Sequence, residues 1–145
     1  IALSHEANLL ILDEPTSGLD PSMRDELTDI LKDFVEDENN TVLFSTHITE
    51  DLDRIADYII FIDQGKIVEN SSKEDFLEKY LVLKGGEEDR ELLKDFDLLG
   101  IKSSDTSFEA LVKNIDREKI PDDLFVEEPD INKILVLYGR KKWWI

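Results

Sequence analysis

The sequence predicts an α/β fold, a parallel sheet with helices, followed by a small α+β appendage. Leu9 to Asp20 read Leu-Leu-Ile-Leu-Asp-Glu-Pro-Thr-Ser-Gly-Leu-Asp, an apolar run that ends in two acids and a turn. A second apolar run, Thr41 to Ser45, follows one amphipathic segment later, which is the order of a parallel crossover. After Gly85-Gly86 the texture changes to short mixed elements.

Each element has its own reason. Residues 1–6 read as the end of a helix, and residues 8–12 as a first strand buried on both faces, as parallel strands are. Asp20 caps the next helix and Pro21 takes its first position, where a missing N–H costs nothing. Met23, Leu27, Ile30, Leu31 and Phe34 then make one apolar stripe. Residues 36–40 are a polar break before the second buried strand, and His47 stands just past that strand's end. A short helix follows, with Glu50 and Asp51 near its start and Leu52, Ile55 and Ala56 facing inward. Tyr58 to Ile62 is a third strand, turned at Gln64-Gly65 into Lys66 to Glu69 as a hairpin. Ser71 with Glu74 resembles a capping box that opens a helix through about Tyr80. Beyond it come a short helix around Glu87 to Phe96, strands at Phe108 to Val112 and Leu124 to Glu127, and a helix capped by Asp130. That last helix carries Ile131, Ile134, Leu135 and Tyr138.

Composition excludes several classes. A chain of 145 residues that is 41% hydrophobic can build a core. A net charge of −18 argues against a nucleic-acid surface, which needs clustered Lys and Arg, but leaves room for a local nucleotide site. The absence of cysteine rules out disulfides and suits a reducing compartment. No apolar run is long enough to span a membrane as a helix. The N-terminus, Ile1-Ala2-Leu3-Ser4, lacks both an initiator methionine and the pattern of a signal peptide.

Ligands of parallel sheets sit beyond the carboxyl ends of the strands. Asp13 and Glu14 stand at such an end, so they suggest a metal ligand and a water-activating base. Alone, an Asp-Glu pair after an apolar run is more often a loop start, and a single His after a strand is more often solvated. Pro15 and Ser17 to Asp20 strengthen the functional reading, and His47 gains support from its position. Asp20 is also a helix cap, and both roles are compatible. His5 has no such support and reads as structural or exposed. Glu87-Glu88-Asp89 reads as a solvated helix start, where negative charge suits the helix dipole. Arg140-Lys141-Lys142-Trp143-Trp144 mixes basic and aromatic residues, as membrane-surface segments do, but is short and reads better as a tail or partner contact.

These motifs together resemble the second half of an ATP-binding cassette (ABC) transporter ATPase: its Walker B strand, its D-loop and its switch histidine, in order, over about residues 1–70. The resemblance implies a partial P-loop NTPase fold. It implies that Asp13 holds Mg²⁺, through water, because magnesium keeps several waters and takes few protein carboxylates. Glu14 would orient or deprotonate the attacking water, and His47 would hydrogen-bond the γ-phosphate of ATP. Positioning and charge are the main needs of phosphoryl transfer. Ser17, Gly18, Leu19 and Asp20 match the D-loop, at an interface with a second ATPase subunit. The closing Glu127-Glu128-Pro129-Asp130 segment and terminal helix are similar, more loosely, to bacterial export-type ATPases of antibiotic and peptide resistance.

By the same resemblance, residues 1–80 are the C-terminal part of the ATPase domain and 81–145 an accessory region. The expected function is ATP hydrolysis coupled to export through a separate membrane permease. The expected location is cytoplasmic, peripheral on the inner face of the cell membrane, with a homodimer and no nucleic acid. The Gly-x-x-x-x-Gly-Lys-[Ser/Thr] phosphate loop, the glutamine loop and the Leu-Ser-Gly-Gly-Gln signature are not in the sequence. The chain therefore reads as a C-terminal fragment with little ATPase activity alone, and with apolar sheet surface that favours self-association. A DNA-repair or chromosome-maintenance ATPase shares the acid and D-loop chemistry. The negative charge and the transporter-like Asp63-Gln64-Gly65-Lys66-Ile67 hairpin speak against it. A non-catalytic dimerisation or regulatory module explains the missing phosphate loop, but not the presence of Asp13, Glu14 and His47 together.

Overall fold

The computed structural model describes residues 7–114 and 119–140. The expected helix end at residues 1–6, His5 and the tail beyond Arg140 lie outside the described residues. The chain divides into two compact units, residues 1–56 and 57–145.

The first unit is α/β. Strand β1 (Leu9–Asp13) leads to helix α1 (Pro21–Val35), strand β2 (Thr41–Ser45) and helix α2 (Thr49–Ile55). The two strands pair in parallel, with Leu9 opposite Thr41 and Asp13 opposite Ser45. That register brings both carboxyl ends to one edge. Asp20 caps α1 as expected: its carboxylate accepts from the N–H groups of Ser22 at 3.0 Å and Met23 at 3.1 Å. At the other end of the strands the Asn40 side chain donates to the Phe34 carbonyl at 3.0 Å, which ties down the end of α1.

Two expectations fail in this unit. The strands are not buried on both faces: Leu10 is buried, while Leu9, Ile11 and Leu43 are exposed. Successive strand residues point to opposite faces, and only one face is covered here. The apolar stripe of α1 is also rotated. Thr28 and Leu31 are buried and Leu27 and Phe34 half-buried, but Met23 and Ile30 are exposed. The helix lies on the sheet along the Leu27, Thr28 and Leu31 line, so Met23 and Ile30 fall at its margins.

The second unit opens with a hairpin of β3 (Tyr58–Asp63) and β4 (Lys66–Ser72). Gln64 and Gly65 both have positive φ, 50° and 72°, as a two-residue type I′ turn requires. Helix α3 (Lys73–Glu78) follows, and its cap is Ser72, whose hydroxyl accepts from the Asp75 N–H at 3.1 Å. Ser71 is instead a buried strand residue, so the expected cap is displaced by one position. The helix also stops short of Tyr80, which begins a strand.

A four-stranded antiparallel sheet completes the unit, ordered β6-β7-β5-β8. Its strands are β5 (Tyr80–Gly86), β6 (Leu98–Ser103), β7 (Ser107–Lys113) and β8 (Phe125–Glu127). The two expected late strands match β7 and β8, whereas β5 and β6 have no counterpart among the strands the sequence predicts. Glu87–Asp95 is helical as expected, but as a 3₁₀ helix. One sheet face packs Leu81, Leu83, Phe108, Ala110 and Val112 against Leu93, Ile120 and Leu124. Val82 and Leu111, paired on the opposite face, are also fully buried. Helix α4 (Ile131–Tyr138), capped by Asp130, packs on β6 and β7 through a buried row of Ile131, Ile134 and Leu137. Phe61 joins the hairpin to this body, with its ring 5.0 Å from Tyr138 and 6.4 Å from Phe76, both edge-on.

Candidate functional site

The parallel register carries the expected residues to one edge of the first unit. Asp13 ends β1 and Ser45 ends β2, and the Ser45 hydroxyl donates to the Asp13 carboxylate. Glu14 is the next residue and has φ of 46°. A non-glycine residue in this left-handed region is strained by about 1–3 kcal/mol, and such strain concentrates where the surroundings impose a geometry. The imposing contacts are visible. The Glu14 N–H donates across to the Ser45 carbonyl at 3.0 Å and lies 3.2 Å from the Ser45 hydroxyl. The ladder thus continues one residue beyond the strand, and the backbone then swings the Glu14 side chain toward β2.

There it meets His47. The His47 Nδ1 lies 2.7 Å from Glu14 Oε2, and the His47 backbone N–H reaches the same oxygen at 3.5 Å. The histidine side chain is 72% exposed and the glutamate 35%, so the pair faces solvent. Asp13, Glu14 and His47 therefore stand together.

The loop from Pro15 to Asp20 is built from local bonds. The Ser17 N–H donates to the Glu14 carbonyl at 3.1 Å, and the Leu19 N–H to the Thr16 carbonyl at 3.2 Å. Gly18 has φ of 77°, open to glycine at little strain. Ser17, Gly18 and Asp20 are exposed and Leu19 is half-buried, which leaves the loop's polar edge on the surface.

Three polar residues that the sequence did not single out hold this corner. Ser45 ties Asp13 and Glu14 as described. Thr16 is buried and donates its hydroxyl proton to Asp51, which is 1% exposed. Thr46 donates to the same Asp51 oxygen at 3.4 Å. In the sequence Asp51 looks like one more acid in the first turn of a helix, where acids are common. Its apolar neighbours Leu52 and Ile55 are the one sign that the turn faces inward.

The donor set bears on magnesium. Asp13 and Ser45 offer one carboxylate and one hydroxyl on adjacent strand ends. No group of three or more His, Cys, Asp or Glu suited to a metal occurs among the described residues. One carboxylate with room for water fits Mg²⁺, which is held by few protein oxygens.

A family profile described as "AAA domain, putative AbiEii toxin, Type IV TA system" matches residues 1–53. The thiamine import ATP-binding protein ThiQ of Rhizobium meliloti is 42% identical over 69 residues, 48% of this chain and 29% of its own length. The lantibiotic transport ATP-binding protein SrtF of Streptococcus pyogenes is 46% identical over 68 residues, 47% of this chain and 29% of its own. A solved structure described as "An inward-facing conformation of a putative metal-chelate type ABC transporter" aligns with 79% of this chain and 43% of its own, with TM-score 0.49 and 23% identity. Over about half of its length the chain is thus homologous to ABC transporter ATP-binding proteins. It spans less than a third of the length of these relatives.

Proposed function

We propose that this chain supplies the water- and γ-phosphate-handling part of an ABC transporter ATPase site. The supporting observation is the 2.7 Å contact between Glu14 and His47 at the carboxyl edge of the parallel pair. Asp13, with the Ser45 hydroxyl beside it, would hold Mg²⁺ through water, and the ion would offset charge on the phosphate oxygens. Glu14 would orient the attacking water and accept its proton. Its strained backbone and its bond to Ser45 fix where that carboxylate stands. His47 has Nδ1 engaged by Glu14, which leaves Nε2 to meet a γ-phosphate oxygen, donating when the ring carries both protons.

Residues 1–80 form the functional part in this reading, and 81–145 an accessory region. Ser17, Gly18, Leu19 and Asp20 would face a second ATPase subunit, in a homodimer docked on a separate membrane permease. Export is the direction we assign, because the Glu127 to Asp130 segment and α4 follow the pattern of export-type ATPases. The location would then be the inner face of the cell membrane. Among the described residues no helix is long and apolar enough to cross a membrane. Alone, the chain would hydrolyse Mg-ATP slowly, because the phosphate cradle is not among its residues.

A chimera tests this reading. The matching segment of SrtF is replaced by that of this chain, and Mg-ATP hydrolysis is measured. The chimera should turn over ATP, and Glu14→Gln in it should lower kcat by roughly 100-fold or more, the usual range for a general base. A folded, ATP-binding chimera whose kcat is unchanged by Glu14→Gln overturns the proposal.

A further inference from the structure

We propose that Asp51 is a positioning residue that locks together the two loops carrying Glu14 and His47. The inference rests on the reading of those two residues given above. Asp51 lies in the first turn of α2 and is 1% exposed. A buried carboxylate is costly unless hydrogen-bonded, so its partners show what holds it there. Oδ2 accepts from Thr16, two residues beyond Glu14, and from Thr46, one residue before His47. One oxygen atom thus bridges both loops at a point adjacent to the paired side chains.

The loops are tied on each side of the bridge. Thr46 also accepts from the Ile48 N–H at 3.0 Å, and the Asp51 N–H donates to the Ile48 carbonyl at 3.1 Å, which closes the segment around His47. Thr16 sits inside the turn made by the Ser17-to-Glu14 and Leu19-to-Thr16 bonds. A threonine whose hydroxyl is fixed fixes its backbone, and here that backbone sets where Glu14 and His47 begin. Glu50, its sequence neighbour, is 78% exposed and pairs with Arg24 at 3.5 Å on the surface. The two adjacent acids therefore do different things.

The test uses the full chain, labelled with ¹⁵N. The His47 Nδ1 chemical shift reports its contact with Glu14, and amide exchange of Ser17 and Ile48 reports loop order. Glu14→Gln should move the Nδ1 signal directly. Asp51→Ala should move it in the same direction by at least half as much and speed exchange at Ser17 and Ile48 more than tenfold. Asp51→Asn, which keeps an acceptor oxygen of the same size, should restore most of both. If Asp51→Ala fails to fold, Thr46→Val, which removes one of the two donors, should give the same changes at smaller size. Uniform faster exchange across β1 and β2 with an unmoved Nδ1 signal would mean a purely structural Asp51 and overturn the proposal. A Nδ1 signal that Glu14→Gln leaves in place would instead remove the Glu14–His47 pair, and with it the functional reading beneath the proposal.

Discussion

Glu109 shows how a half-buried charge depends on its neighbours. The Lys133 ammonium, 2.6 Å away, and then Lys84, at 3.3 Å, hold its carboxyl below the ordinary 4.5. A carboxylate whose pKa is lowered on folding stabilises above its unfolded pKa, and that contribution is lost as pH falls through the folded value. The second unit should therefore weaken as pH drops below 4.5. Lys133→Met should flatten that decline, read as urea midpoints at neutral and acid pH; an unchanged slope would dismiss the pairing. Residue by residue, the sequence was uneven in what it disclosed. Asp13, Glu14 and His47 were legible because an apolar run and a tight motif frame them. Asp51, Thr16 and Ser45 were not, since a short polar side chain near a strand or helix end looks the same whether it faces water or a buried partner.

Elements were legible where a local rule is strong. Asp20-Pro21 and Asp130 announced helix starts, and Gln64-Gly65 a hairpin, because caps and type I′ turns depend on a few adjacent residues. Strand β5 was not anticipated. Tyr80, Leu81, Val82 and Leu83 are buried on both faces, so no alternation marks them as a strand, and the expected helix runs on to about Tyr80. Strand β6 was obscured by Gly100, which weakens a strand pattern yet is required by packing. A Cβ there would lie 1.9 Å from the Leu137 carbonyl oxygen of α4. Gly100→Ala should destabilise the chain by about 3 kcal/mol, the upper range for overpacking. Gly139→Ala meets nothing within 4 Å and should change stability by no more than about 0.5 kcal/mol. Urea unfolding measures both, and equal effects would mean that α4 does not press on β6.

The chain as a whole exposes more apolar strand surface than its charge suggests. In the first unit Leu9, Ile11 and Leu43 are uncovered; in the second, Tyr58, Ile60, Ile62 and Ile67 are. Such patches promote association, whereas a net charge of −18 opposes it by repulsion that salt screens. Light scattering should show a mass above that of one chain, rising with salt. Ile11→Lys with Leu43→Lys should lower it, and a clean monomer at all salt concentrations would refute the expectation.

By itself the sequence indicated a strand–helix–strand crossover with an acid pair at the end of the first strand and a histidine just past the end of the second, because apolar runs, caps and turn residues act over a few positions. Tertiary structure alone decided which strand faces are covered, where β5 and β6 lie, and that Asp51 is buried against Thr16 and Thr46. Those outcomes depend on contacts between residues distant along the chain, and no local pattern encodes which of two apolar faces, or which of two adjacent acids, is turned inward.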